Sequence, residues 1–131
     1  MSIKRRYAHS VTFYDRSKTY NGYTLFWPKG GEIAWLIDMQ GNVVHYWQMQ
    51  YPPGLHGVLL RNSNLLGAAQ NRTTAELGWP DGFSGIGGLL LEVDWEGKVV
   101  WEYDARYQGH DFCRLNSGNT LYISWDPEGQ V

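Results

Sequence analysis

The sequence predicts an all-β fold. Aromatic residues make up 15% of its 131 residues, with seven Trp and nine Tyr, and bulky rings suit pleated sheets. Sixteen Gly supply tight turns at short intervals. No segment keeps apolar residues on one helical face for three turns.

Along the chain, residues 1–19 read as an N-terminal segment. Its Lys4-Arg5-Arg6 run is solvated surface, and a strand-turn-strand pattern begins at Val11. Tyr23 to Trp27 is an aromatic strand closed by Pro28-Lys29-Gly30-Gly31. Ile33 to Asp38 and Val43 to Gln48 form a hairpin around Met39-Gln40-Gly41-Asn42. Pro52-Pro53-Gly54 breaks the sheet pattern. Leu55 to Leu60 and Leu65 to Ala69 flank the turn Arg61-Asn62-Ser63-Asn64. Thr73 to Leu77 is the one helical candidate, stopped at once by Gly78-Trp79-Pro80. A glycine-rich loop, Asp81 to Gly88, follows. Leu89 to Asp94 pairs with Lys98 to Tyr103, and His110 to Leu115 pairs with Thr120 to Trp125. The count is about ten short strands.

The composition excludes several classes. Eleven Lys+Arg against thirteen Asp+Glu give a net charge of −2, which argues against a general nucleic-acid binder. No apolar run is long enough for a membrane helix. The basic start lacks a following apolar run, so no signal peptide is expected. Cys113 is the single cysteine, which excludes an internal disulfide or a cysteine zinc cluster. It reads as a buried inert thiol after Phe112. Gly82, Gly85, Gly87 and Gly88 lack the Gly-Lys-Ser/Thr ending of a phosphate loop. No metal or cofactor is expected.

An internal repeat organises the chain. Leu36-Ile37-Asp38-Met39-Gln40-Gly41-Asn42-Val43-Val44-His45 aligns with Glu92-Val93-Asp94-Trp95-Glu96-Gly97-Lys98-Val99-Val100-Trp101. Further on, His56 aligns with His110 and Asn62-Ser63 with Asn116-Ser117. After one extra residue, Gly118, Asn64-Leu65-Leu66 meets Asn119-Thr120-Leu121. Each unit holds two hairpins and therefore predicts a four-stranded antiparallel sheet. Such sheets repeated around an axis are β-propeller blades. Residues 33–69 and 89–125 are then blades, and residues 20–31 supply extra strands, about two to two and a half blades in residues 20–131. A ring takes four to eight, so the chain is a fragment of a longer protein, or several copies assemble the ring, or it stands as an open array of sheets. A β-sandwich with two similar halves is the competing architecture.

Tyr20-Asn21-Gly22-Tyr23-Thr24-Leu25-Phe26, the two Asp-x-x-Gly hairpins and His110-Asp111-Phe112-Cys113-Arg114-Leu115-Asn116-Ser117-Gly118-Asn119 together resemble the front part of arylsulfotransferase-like β-propellers. The resemblance runs from Tyr20 to Trp125 and implies a six-bladed fold. It implies transfer of a sulfuryl group from an aryl sulfate to another phenol through a transiently sulfated channel histidine, with the characterised nucleophile in a later blade. An imidazole nitrogen is nucleophilic near neutral pH, and cationic donors meet the sulfuryl charge. On this resemblance His110 and His56 are the candidate catalytic residues. Asp111 and Arg114 are the candidate substrate-binding residues, clustered with His110. His110-Asp111, Leu115 and Gly118-Asn119 match the family's blade motif, whereas the earlier copy has Gly57 where Asp is usual. Leu55 and Gly109 stand where the family often has a second histidine. The partners implied are a small aryl sulfate or phenol, with no nucleic acid and no membrane. The other reading is a non-catalytic propeller segment that binds a ligand or builds an assembly.

Overall fold

The computed structural model describes residues 11–73, 76 and 87–125. Among these residues are nine antiparallel strands and no helix. They are β1 (Thr24–Phe26), β2 (Ile33–Ile37), β3 (Val43–Gln48), β4 (Pro53–Leu59), β5 (Leu65–Gln70), β6 (Gly88–Val93), β7 (Val99–Ala105), β8 (Gln108–Arg114) and β9 (Thr120–Ser124). The all-β class is thus observed. No strand forms between residues 11 and 23, so the expected strand at Val11 is absent. Of the helical candidate only Thr73 and Glu76 lie within the described residues. Glu76 accepts the Thr73 backbone N–H and hydroxyl at 2.6 and 2.9 Å. The basic start, His9, most of the glycine-rich loop and the end from Asp126 lie outside.

Pairing divides the strands into three sheets: β1-β2-β3, β4-β5-β6-β7 and β8-β9. They do not close into a barrel or ring among the described residues. Each repeat was expected to form one sheet. Instead the boundary falls inside the repeat, because β3 does not pair with β4 and β5 pairs with β6 over six residues. Composition explains this shift of phase. β5 is buried from Leu65 to Ala69 and β6 along its whole length, so both strands have two covered faces. Such strands belong at the centre of a sheet. Pro52 and Pro53, which lack N–H groups, stand where the chain would have to extend the ladder from β3.

Two cores flank the central sheet. Leu65 and Ala69 of β5, with Leu89, Leu91 and Val93 of β6, pack against Ala34, Leu36 and Trp47 of the first sheet. The alternate residues Leu66, Ala68 and Leu90 pack with Phe112 of β8. This is the period-two alternation of a strand covered on both sides.

The turns preserve the repeat at atomic detail. Asp38 Oδ1 accepts the N–H groups of Gln40 and Asn42 at 2.9 and 2.8 Å, and Asp94 Oδ1 accepts that of Lys98 at 2.8 Å. Gly41 and Gly97 carry φ of 84° and 89°, a region that L-residues with side chains rarely enter. The Asn42 side chain, with the backbone donors, holds the Asp38 carboxyl below its ordinary pKa. The second hairpins share one geometry too. Leu60 N–H donates to Asn64 and Leu115 N–H to Asn119, both at 2.8 Å. Ser63 and Gly118 occupy the same left-handed position, with φ of 68° and 90°. The extra residue expected at Gly118 is therefore not an insertion.

Side chains bind the sheets to one another. Trp47 Nε1 donates to the Asp94 carbonyl and His45 Nε2 meets the Trp95 carbonyl, each at 2.9 Å. The His45 ring stacks on Trp95 at 3.8 Å. Trp47 is 1% exposed, and removing such a ring costs about 3–5 kcal/mol. After β5, the Arg72 guanidinium grips Asp104 of β7 with two bonds of 2.7 and 2.8 Å. That contact holds the Asp104 carboxyl below its usual range.

Candidate functional site

The hydrogen-bond register overturns one equivalence read from the letters. The register of β4 breaks between Pro53 and Gly57, and that of β8 between Gln108 and Phe112. The flanking pairs match: Pro53 faces Ala69 as Gln108 faces Ser124, and Gly57 faces Gly67 as Phe112 faces Tyr122. His56 therefore corresponds to Asp111, and His110 corresponds to Leu55. The identity of the two histidine letters misaligned the hairpins by one residue.

This register brings His56 and Asp111 face to face. His56 Nε2 lies 3.6 Å from Asp111 Oδ1. The imidazole sits edge-on to Phe112, with centroids 4.7 Å apart. Asp111 Oδ1 also accepts the Phe112 N–H at 2.8 Å, which orients the carboxylate. The His56–Asp111 gap exceeds a direct hydrogen bond. His56 lacks a carboxylate beside it in sequence; the other repeat supplies one in space.

His56 also borders a cavity of about 230 Å³. Phe26, Trp27, Leu25 and Leu55 contribute apolar and aromatic walls. Trp27 reaches it because Gly67 has no side chain: a Cβ there would stand 3.1 Å from the ring. Leu55 holds φ of 100°, a strained value for a branched residue. Strain of this kind costs of order 1–3 kcal/mol and concentrates at functional sites. Leu55 lies within the register break of β4, between Pro53 and Gly57.

The other site residues are dispersed. His110 is exposed and meets Trp125 edge-on, with centroids 6.2 Å apart. Arg114 turns away from His110 and Asp111. Its Nη2 donates to Glu92 Oε2 at 2.8 Å, its Nη1 to the Gly118 carbonyl at 3.2 Å, and its guanidinium covers the Trp101 ring. Glu92 is 8% exposed and also accepts Asn64 Nδ2 at 2.7 Å and Asn62 Nδ2 at 3.3 Å. The expected cluster of His110, Asp111 and Arg114 is thus split three ways, to Trp125, His56 and Glu92. The register break between Gln108 and Phe112 interrupts alternation before Phe112, and Arg114 follows buried Phe112 toward the central sheet.

Sequence reasoning missed Glu92. Its signal was a single carboxylate inside Gly88-Leu89-Leu90-Leu91-Glu92-Val93, a run otherwise apolar, where a charge needs a partner. Cys113 is a further correction. It is exposed rather than buried, because Phe112 takes the inward position of β8. Among the described residues no three His, Cys, Asp or Glu side chains converge as a metal site requires.

No family model, curated protein or solved structure matches the chain. The functional reading of the site therefore rests on the chemistry of its own residues and on the motif resemblance.

Proposed function

We propose that the chain is part of an arylsulfotransferase-like β-propeller in which His56, oriented by Asp111, carries the sulfuryl group in place of the later-blade histidine of the characterised enzymes. One observation supports this most: an imidazole facing a carboxylate at the rim of a cavity with aromatic walls. In this reading the cavity takes the aryl ring of the donor. A ring nitrogen of His56 attacks sulfur, the sulfur–oxygen bond breaks, and the donor leaves as a phenolate that takes a proton from water. The acceptor phenol then attacks the same sulfur. The nitrogen–sulfur bond breaks, the new aryl sulfate forms, and the acceptor proton passes to Asp111 or water. Asp111 keeps the imidazole in place and stabilises positive charge on it. The β4-β5-β6-β7 sheet serves as one blade, with β1-β2-β3 and β8-β9 as parts of its neighbours.

A second reading is a non-catalytic segment that binds an aromatic ligand or builds an assembly. It draws on Arg114, whose guanidinium is committed to Glu92 and Trp101 and so is not offered to a sulfuryl oxygen.

The test is sulfuryl transfer from 4-nitrophenyl sulfate to a phenol, followed by release of nitrophenolate. His56→Ala is expected to abolish transfer and His110→Ala to leave most of it. Transfer that persists in His56→Ala overturns the assignment of His56. A folded wild-type chain that binds nitrophenol but transfers nothing supports the second reading.

A further inference from the structure

The two repeats differ in how their equivalent faces are covered. On β3, His45 and Trp47 are capped by the β6–β7 turn, each ring nitrogen meeting a turn carbonyl. The residues in the same positions on β7 are Trp101 and Tyr103, as the matched irregularities beside Ile37 and Val93 establish. Both are exposed, at 37% and 48%. Both carry a ring-borne donor, an indole N–H and a phenol O–H, although the Arg114 guanidinium lies over the Trp101 ring and the Tyr103 phenol bonds Tyr122. The neighbouring strand repeats the contrast. β5 pairs with β4 and β6, whereas its counterpart β9 pairs with β8 alone among the described residues. Leu121 and Ile123 of β9 are more than half exposed. An apolar strand with one edge unpaired among the described residues, and an aromatic face beside it, invite a further hairpin.

The chain itself contains a hairpin of the required kind. The β2–β3 turn has the same Asp-capped geometry as the β6–β7 turn, with Asp38 in the place of Asp94. The Asp38 carbonyl accepts the Gly41 N–H as the Asp94 carbonyl accepts that of Gly97, and Asp94 takes Trp47 as well. The hydrogen bonds made by the rings go to backbone carbonyls, so Met39 can stand where Trp95 stands, with its side chain replacing the Trp95 ring that His45 and Trp47 also touch. Its thioether also suits the Trp101 face.

We infer that the β2–β3 hairpin of a second copy of this chain docks beside β9, with its Asp38–Asn42 turn capping Trp101 and Tyr103. The β5–β6 register then transfers to the new pair. Ala69 faces Leu89 in the observed sheet, so Ser124 faces Ile33 of the second copy. β9 takes the edge of β2 that β1 holds through three pairs, so β1 leaves that edge in the docked copy, and Leu121 and Tyr122 stand opposite Leu36 and Trp35 in place of Leu25 and Phe26. The completed sheet has the order β8, β9, β2, β3, the four-stranded form of the central sheet. The contact joins two different surfaces and repeats head to tail, so it builds a ring where the rotation closes.

Cross-linking between chains tests the register. Ser124→Cys and Ile33→Cys are made in separate chains, both also carrying Cys113→Ser, then mixed and oxidised. A disulfide heterodimer is expected. Phe13→Cys, exposed and remote from the hairpin, replaces Ile33→Cys as the control and is expected to give less than a tenth as much. Equal yields overturn the inference. Light scattering on the unmodified chain is expected to give a multimer. Trp101→Ala with Tyr103→Ala is expected to raise its dissociation constant at least tenfold. A monomer at all concentrations, or a multimer indifferent to both substitutions, also overturns it.

Discussion

His56 and Asp111 occupy the same register position in successive hairpins, and His56 Nε2 stands 3.6 Å from Asp111 Oδ1. In the proposed reaction a carboxylate so placed acts on the imidazole rather than on substrate. Asp111→Asn keeps the shape and the Phe112 N–H contact but removes the charge. Transfer activity is expected to fall about 10–100-fold, the range for loss of an orienting partner. The fall should appear in kcat with KM little changed, and steady-state kinetics against His56→Ala reads the difference.

Glu92 and Arg114 join the central sheet to β8 through a contact that is mostly shielded from water. Glu92→Ala leaves the guanidinium without its carboxylate and strands Asn62 and Asn64. Breaking a buried pair costs about 3–5 kcal/mol. The Arg114 side chain is 23% exposed, which lowers the expectation to about 2–3 kcal/mol. Urea unfolding of Glu92→Ala, Arg114→Ala and the double variant is expected to give a coupling energy above about 1 kcal/mol.

Gln108 is fully buried, and neither its Nε2 nor its Oε1 has a hydrogen-bond partner among the described residues. An unmade hydrogen bond at a buried polar group costs about 1–3 kcal/mol. Gln108→Met retains length and replaces the amide with apolar atoms, so it is expected to raise stability by about 1 kcal/mol. A higher urea midpoint at unchanged slope is the readout.

Tyr122 has its phenol pKa raised, chiefly by its hydrogen bond to Tyr103, with burial adding to the shift. A raised folded-state pKa contributes stability that is complete below the unfolded value. That stability is lost as pH rises through the folded value. The unfolding midpoint is therefore expected to fall from about pH 10 upward. Tyr103→Phe is expected to weaken this alkaline dependence and to lower the Tyr122 titration midpoint, followed by phenolate absorbance.

Much of the local structure was legible in the letters. Asp38 with Gly41 and Asp94 with Gly97 announce their turns because a carboxylate can take the turn's N–H groups and glycine tolerates positive φ. The Ile33, Val43 and Leu65 segments read as strands for similarly local reasons. The candidate pair was legible only in part. Both members were named, but Asp111 was grouped with His110 and Arg114 because adjacent letters look like neighbours. A one-residue break in register reverses which side chains share a face, and nothing in the composition of Leu55-His56-Gly57 marks where that break falls.

Turn chemistry and alternation act over a few residues, so the amino-acid order alone specified the hairpins and their repeat. Which hairpins share a sheet was settled by burial: β5 and β6 each need cover on two faces, and only packing between distant segments supplies it. The same packing set His56 against Asp111 and drew Arg114 to Glu92. These are contacts across space between oppositely charged or ionisable groups, and the distance that governs them is measured in ångströms rather than along the chain.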